Sequence, residues 1–315
     1  MNRYLSAAVF AAATCAMPIA AHADTPINVT MIIYTAQSVE FWVPAIRGAK
    51  DAAAQQGVNL DIQYGDSDPV KQNNLIEAAL ANKVDGIALA IYDDSAFDKN
   101  ICAAEKLGVH VVAFNVDDSQ GAAGNCREAF VGQNFPDTGY LIAKRMIKDH
   151  GIKSGDLVYA PVELPTAVYA TLRYQGVERA LKEVGAHAEM VATGFDLAGA
   201  LNTSVQYLVG HPDTAAIIAL GSVPLTTAPK AVKEAGHSIP IGGFDLTPEI
   251  IDGIAGGSIT ATVDQQPYSQ GFFAITQLAL EVKYGLFPSD MNTGGLGLVD
   301  KTNVEKVRSL TGNFR

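Results

Sequence analysis

The segment INVTMIIYTAQSVEFWVPAIRGAKDAAAQQGVNLDIQY, residues 27–64, decides the fold class of this chain. It begins with an apolar run of strand length, Ile27–Tyr34, continues with an amphipathic helical pattern, Phe41–Gln56, and ends with a second strand pattern, Asn59–Tyr64. Strands that alternate with helices form parallel sheets, because each helix carries the chain back to the start of the next strand. The segment therefore predicts a β–α–β unit.

The same alternation runs through most of the remaining sequence. The first series continues with helix Pro69–Lys83, strand Gly86–Tyr92, helix Ala96–Leu107 and strand His110–Val116. A second series begins near Ala129, with strands Leu157–Ala160, Met190–Phe195, Ala215–Leu220 and Ile239–Gly243 and helices Ala167–Val184, Leu201–Val209, Leu225–Ala235 and Glu249–Ile254. We therefore predict an α/β fold with two similar doubly wound parallel-sheet halves of five strands each. An N-cap residue before a proline, at Asp68-Pro69 and at Thr247-Pro248, marks two helix starts.

The first 23 residues have the pattern of an export signal. Arg3 supplies a positive charge, Leu5–Ala21 is small and apolar, and Ala21-His22-Ala23 matches a cleavage site. The residues before Cys15 lack the pattern of a lipidated cysteine. We therefore expect cleavage of residues 1–23 and a freely soluble, periplasmic mature protein long enough for two domains.

Two cysteines, Cys102 and Cys126, remain after this cleavage. In an oxidising compartment a pair of cysteines forms a disulfide more often than not, so we predict a bond between them. The alternative is two separately buried thiols, because the sequence does not test the distance between their Cα atoms.

The composition argues against several function classes. The formal net charge of −11 and the absence of a basic run disfavour nucleic acid and anionic membranes as partners. Nucleotide-binding and zinc-protease motifs are absent from the sequence, and the two remaining cysteines lack redox-motif spacing. The remaining histidines are scattered singly, at His110, His150, His187, His211 and His237. We therefore predict a protein that is not an enzyme and needs neither a metal nor a cofactor.

Six blocks along the chain form an ordered set: Ile27–Tyr34 with Glu40-Phe41-Trp42 and Gly48, Val84–Ile87 with Asp93-Asp94, Gly108–Val112, Phe130–Asn134 with Gly139, Gly242–Asp245 with Thr247-Pro248, and Ala261–Pro267 with Gly271. In this order the blocks resemble the type I periplasmic sugar-binding proteins, which are solute receptors of ABC transporters. Each block is weakly specific alone, whereas the ordered set is strongly specific.

The resemblance implies two domains that enclose one small carbohydrate and deliver it to an ABC permease, or in some members to a chemoreceptor. The domains are joined by three crossovers, which it places near Gly132–Asn134, Asp264–Gln266 and Met291–Gly294. The N-terminal ligand-binding domain is then residues 24–132 plus 266–292, and the C-terminal domain is residues 133–265 plus 293–315. We expect a monomer.

The resemblance also assigns ligand-binding roles to five residues. Phe41 and Trp42 match the aromatic pair of the family, and Phe195 matches an aromatic residue of the second domain. Asp245 matches a ligand carboxylate and Gln265 a ligand amide. The alternatives are core packing for the aromatic residues, helix capping for Asp245 and a purely hinge-forming role for Gln265.

Three departures from the ribose-binding members bear on the ligand. Asn115-Val116 stands in place of an Asp-Arg pair, and Thr171 stands in place of a ligand arginine, with Arg173 two residues later. Gly221, next to Ser222, stands in place of an asparagine. We therefore expect a neutral, less hydroxyl-dense sugar, a deoxysugar or a polyol, unless further polar residues compensate. The residues that could compensate are Ser38, Glu40 and Arg173.

Three other functions stay open at this point. The fold could bind a nucleoside or a furanosyl signal molecule, or it could present a ligand to a membrane sensor. An exported hydrolase is a third alternative, because the acid pairs Asp93-Asp94 and Asp117-Asp118 could in principle form a catalytic dyad.

Overall fold

The computed structural model describes residues 26–294 and 297–315, and the predicted export signal lies outside them. The first half contains β1 (Ile27–Ile33), α1 (Trp42–Gln56), β2 (Val58–Tyr64), α2 (Pro69–Ala81), β3 (Gly86–Leu89), α3 (Asp98–Lys106), β4 (His110–Asn115) and β5 (Ala129–Gly132). The second half contains α4 (Phe135–His150), β6 (Leu157–Val162), α5 (Val168–Lys182), β7 (His187–Ala192), α6 (Leu197–Gly210), β8 (Thr214–Ala219), α7 (Ser222–Glu234), β9 (Ile241–Phe244), α8 (Pro248–Gly256) and β10 (Ala261–Val263). The remaining elements are α9 (Pro267–Tyr284), β11 (Met291–Asn292), β12 (Leu298–Asp300) and α10 (Val304–Arg308).

The strands form two sheets with the same winding. The first has the order β11-β5-β4-β3-β1-β2 and the second β12-β10-β9-β8-β6-β7. All pairs are parallel except β10 with β12, which is antiparallel. Met31, Ile32 and Ile33 in β1 are fully buried, as expected for a strand covered by helices on both faces. The predicted doubly wound parallel sheets are therefore confirmed.

Within the described residues each sheet has six strands, so the prediction of five per half was wrong. The additional strands are β11 and β12, which are two and three residues long. Strands this short contain too little alternation of apolar and polar residues to be recognised in a sequence. The chain leaves the first sheet after β5, returns after β10 and leaves again between β11 and β12, which confirms three crossovers.

Two elements of the second half lie apart from their predicted positions. The strand predicted at Met190–Phe195 is β7, which ends at Ala192, and the helix predicted to start at Leu201 is α6, which starts at Leu197. The Asp196 side chain accepts a hydrogen bond from the backbone N–H of Gly199 and so caps α6 four residues earlier than predicted. Phe195 therefore lies in the turn between β7 and α6.

Local sequence signals account for other helix starts. The Asp68 carboxylate accepts hydrogen bonds from the N–H groups of Val70 and Lys71, and the Thr247 hydroxyl accepts one from Ile250. Both predicted N-caps are therefore confirmed.

In each half, glycines let a pair of helices pack backbone to backbone. A Cβ atom on Gly48 of α1 would lie 2.0 Å from the Tyr268 carbonyl oxygen of α9. A Cβ atom on Gly139 of α4 would lie 2.1 Å from the Arg173 carbonyl oxygen of α5. Neither distance is sterically possible, so glycine is required at both positions. The second contact fixes the backbone of Arg173, a predicted site residue.

A disulfide joins Cys102 in α3 to Cys126 before β5, with 4.8 Å between the Cα atoms.

In the described part of the chain, no helix is long and apolar enough to cross a bilayer.

Candidate functional site

Corresponding strands of the two sheets end in the same unusual backbone conformation. Asn115 ends β4 with φ 65°, and Asp245 follows β9 with φ 75°. Side-chain-bearing residues rarely adopt positive φ, and Asn and Asp tolerate it better than most. Backbone strain of this kind is typical of binding sites. The two residues lie at the carboxyl ends of the strands, where open α/β sheets bind ligands.

A buried hydrogen-bond network connects these two strand ends. The Asn115 amide nitrogen donates to Gln265 Oε1 at 3.1 Å and to Gln270 Oε1 at 2.9 Å. The Gln265 amide nitrogen in turn donates to Asp245 Oδ1 at 2.5 Å. Gln265 belongs to the second crossover, so this polar network links both halves through a connecting segment. The structure thus brings together three predicted residues and adds Gln270.

Arg173 extends from α5 into the same region and is 2% exposed. One guanidinium nitrogen donates to the Leu220 carbonyl at 2.6 Å, and another lies 3.7 Å from Asp245 Oδ1. The guanidinium carbon lies 4.2 Å from the ring centroid of Phe244. Such cation–aromatic contacts help to stabilise a buried charge. Arg173 Nε has no hydrogen-bond partner among the described residues, so it remains available as a donor.

Glu163 is a buried acid that the sequence analysis did not identify. Its carboxylate accepts hydrogen bonds from the Tyr169 hydroxyl at 3.1 Å and from the Val223 N–H at 3.0 Å. Burial raises the pKa of Glu163 and that of Asp245. The available signal was its position: Glu163 directly follows β6, as Tyr34 directly follows β1. The predicted strand ends at Ala160, two residues before the end of β6, so the sequence does not mark Glu163 as a strand-end residue.

The aromatic pair at the start of α1 combines packing with access to the site. Trp42 is 2% exposed, and its ring meets those of Tyr34, Phe41 and Phe114 edge to face at centroid distances of 5.6, 5.0 and 5.9 Å. Its indole nitrogen has no hydrogen-bond partner within residues 26–294 and 297–315. Trp42 is therefore a core residue that also presents a free N–H donor.

An inner cavity of about 30 Å³ lies between the halves, which is room for one or two water molecules. Eight of the predicted site residues line it: Phe41, Trp42, Asn115, Arg173, Phe195, Ser222, Asp245 and Gln265. The residues that the sequence analysis missed include Tyr34, Glu163 and Tyr169. Polar groups and aromatic rings from both halves thus converge on one space.

Next to the inner cavity lies an outer groove of about 880 Å³, within the size range of small-molecule sites. Ser38 and Glu40 lie in this groove rather than in the inner cavity, whereas Phe41, Phe195 and Ser222 line both.

Thr171 lies outside both spaces. Its hydroxyl donates to the Val168 carbonyl in its own helix at 3.0 Å. The arginine two residues later occupies the inner cavity instead.

The two halves touch directly around the inner cavity. The Val168 N–H at the start of α5 donates to the Tyr92 carbonyl after β3 at 3.0 Å. The rings of Tyr34 and Tyr169, one from each half, lie 6.2 Å apart. A ligand larger than a few water molecules must separate these contacts before it enters the inner cavity.

A comparison with known families identifies this arrangement. The sequence profile of the periplasmic binding protein domain matches residues 29–285. The chain belongs to this family. Members bind substrates for transport, which confirms the prediction of a binding protein rather than an enzyme.

Sequence relatives of this periplasmic binding protein include sugar-binding proteins. It is 28% identical over 271 residues to a xylose/arabinose-binding protein from Sulfolobus acidocaldarius, and the match covers 81% of this chain and 66% of that relative. It is 25% identical over 245 residues to the ribose import binding protein of Bacillus subtilis, with 78% of each chain covered.

A solved structure has a similar fold. It is a carbohydrate transporter from Acidothermus cellulolyticus in complex with myo-inositol, at 28% identity and a TM-score of 0.83, with 91% of this chain and 99% of the other covered.

Proposed function

We propose that the chain binds a small neutral polyhydroxy compound, either a sugar, a deoxysugar or a polyol, between its two halves. The observation that supports this most directly is the lining of the inner cavity. Amide, carboxylate and guanidinium groups can each exchange hydrogen bonds with hydroxyl groups, and aromatic rings pack against the C–H faces of a sugar. The relatives named above, which bind pentoses and myo-inositol, point to the same ligand class.

The charges around the cavity favour a neutral ligand. Arg173 is the cation of the lining, and it already faces Asp245 at 3.7 Å with Glu163 nearby. An anionic ligand would find no uncompensated positive charge. A ligand with hydroxyl groups can instead accept from Arg173 Nε and from the indole N–H of Trp42, which are the two buried donors without partners among the described residues of the inner cavity lining.

Domain closure supplies the binding mechanism. The two bodies are residues 24–132 with 266–292 and residues 133–265 with 293–315, joined at the three crossovers. A ligand that contacts both bodies stabilises the closed state by its differential affinity for that state. Entry of the ligand separates the direct contacts of Tyr34 with Tyr169 and of Tyr92 with Val168, and the two bodies then close on the ligand instead. Closure also expels water, so each hydroxyl without a partner lowers affinity and thereby sets selectivity.

The same proposal covers location and partners. The protein acts in the periplasm after removal of residues 1–23, as a monomer, and delivers its ligand to an ABC permease. Uptake of the labelled ligand should fail in a strain that lacks this chain and recover when the chain is restored.

The deciding experiment is a binding screen of the mature protein. Isothermal titration calorimetry and the fluorescence of Trp42, the single tryptophan of the chain, are measured against pentoses, hexoses, deoxysugars, polyols and nucleosides. We expect saturable binding by one small group of sugars or polyols. Binding by nucleosides alone, or by none of these compounds, contradicts the proposal.

A pair of variants tests whether the ligand occupies the inner cavity. Glu163→Gln keeps the shape of the side chain but removes its charge, and we expect it to weaken binding about tenfold or more, as loss of a charged hydrogen bond does. Glu249→Gln is the matched control, because Glu249 is an exposed acid on the outer groove. Equal effects of the two substitutions would place the ligand elsewhere.

A further inference from the structure

Far from the cleft, three ligating side chains meet at the amino-terminal end of the first sheet. His110 begins β4, Glu128 directly precedes β5, and Glu281 lies in the last turn of α9. His110 Nδ1 lies 2.9 Å from Glu128 Oε1 and 3.3 Å from Glu281 Oε1. One ligand atom from each residue lies within 4.8 Å of the other two. Asn115, at the opposite end of β4, belongs to the ligand site, so the two places are separate.

Glu281 shows that this cluster is incomplete by itself. Its side chain is 7% exposed, and its Oε2 atom has no hydrogen-bond partner in the described part of the chain. A buried carboxylate oxygen without a partner is costly. A cation bound among the imidazole and the two carboxylates would compensate the buried negative charge of Glu281.

We propose that His110, Glu128 and Glu281 bind a divalent first-row transition-metal ion, with Zn²⁺ as the best match. One imidazole nitrogen and two carboxylate oxygens form a typical three-residue zinc set, and water supplies the fourth ligand. Calcium and magnesium prefer oxygen ligands alone, so the imidazole argues against both.

The distances agree with this choice. Ligands about 2.0–2.2 Å from zinc in a tetrahedron lie about 3.4 Å from one another. The two separations from His110, 2.9 and 3.3 Å, need to widen by only tenths of an ångström, and the separation between the two carboxylates lies within 4.8 Å. The bound ion would join the end of α9 to β4 and to the residue before β5.

The test uses the mature protein, stripped with EDTA and free of affinity tags, titrated with ZnCl₂ by calorimetry. We expect one ion per chain and, at a 100-fold excess over the dissociation constant, a rise in melting temperature of about 5 °C.

Two variants assign the ion to these residues. Glu281→Gln keeps the buried shape, and His110→Ala removes the nitrogen ligand; each should weaken zinc binding by more than about tenfold. His187→Ala is the matched control, because His187 is an exposed histidine on β7. Sugar binding should stay unchanged in all three variants, which separates this site from the ligand site.

The proposal is overturned if the wild-type protein does not bind zinc, or if Glu281→Gln and His110→Ala bind it as the control does.

Discussion

The buried guanidinium of Arg173 provides the sharpest test of how the second half supports the ligand site. Its charge is compensated by Asp245 at 3.7 Å, and its Nη1 donates to the Leu220 carbonyl at 2.6 Å. Arg173→Met retains an unbranched apolar side chain that can lie against Phe244, but it leaves Asp245 and Glu163 buried without a positive charge. Breaking a buried ion pair in this way costs about 3–5 kcal/mol of unfolding free energy.

The assay is urea denaturation followed by circular dichroism, with Arg179→Met as the matched control. Arg179 lies in the same helix but pairs with Asp137 at 3.4 Å on the surface, where both side chains are about half exposed. An exposed pair of this kind contributes about 0–1 kcal/mol. Ligand binding should be lost in Arg173→Met and retained in the control.

A double variant separates electrostatics from packing. Asp245→Asn removes one of the buried charges that Arg173 compensates. The double variant, Arg173→Met with Asp245→Asn, should therefore lose less unfolding free energy than the two single variants lose in sum. We expect a coupling free energy of about 1–3 kcal/mol. A coupling near zero, or equal losses in Arg173→Met and Arg179→Met, would refute the electrostatic role assigned to Arg173.

Three further predictions concern stability. In urea denaturation, Asn115→Ala should lose about 1 kcal/mol more unfolding free energy than Asn115→Gly, because glycine adopts positive φ without strain. Equal losses in the two variants would contradict this prediction. Replacing Cys102 and Cys126 by serine should lower the free energy of unfolding by about 3 kcal/mol, because the disulfide closes a loop with a sequence separation of 24. A reductant should lower the stability of the wild type but not that of this variant. The hydrogen bond from the Thr302 hydroxyl is the main reason why the pKa of Asp300 is lowered from its usual 3.8. The ionised Asp300 side chain therefore stabilises the fold fully above pH 3.8, and this stabilisation is lost as the pH falls through the lowered pKa. Asp300→Asn should therefore lower the free energy of unfolding by about 1 kcal/mol at pH 7. In acid denaturation the difference in unfolding free energy between wild type and variant should narrow below pH 3.8, and a constant difference would contradict this reasoning.

The sequence predicted most of the fold because its apolar runs are long and regularly spaced. Asp245 was predictable because it is a polar residue that follows a clear strand, whereas Asn115 lies within the predicted strand His110–Val116 and was identified through the family resemblance. Glu163 was missed because β6 continues two residues past its predicted end, through Pro161 and Val162. Gln270 was missed because its partner Asn115 is 155 residues away, a pairing that only the folded chain reveals.

Thr171 and Arg173 show why the sequence alone does not reveal which residue of a helix faces the cavity. Residues two apart on an α-helix point about 200° away from each other, so only one of them can face the cavity. The resemblance placed the ligand position at Thr171, whereas the structure directs Arg173 inward and leaves Thr171 bonded to its own helix. The sequence pattern thus predicts the helix correctly, but it locates the residue that faces the cavity only to within one or two positions.

The positive φ angles at Asn115 and Asp245 limit how this site can be re-engineered. Only a few residue types, mainly Gly, Asn and Asp, occupy such backbone positions without strain. A library that varies both positions freely would consist mostly of strained, poorly folding members. Variation there should be restricted to exchanging Asn and Asp, which alters charge at constant shape. Changes of cavity size belong at Phe41 and Phe195, where the backbone φ is not positive and the side chains border both spaces.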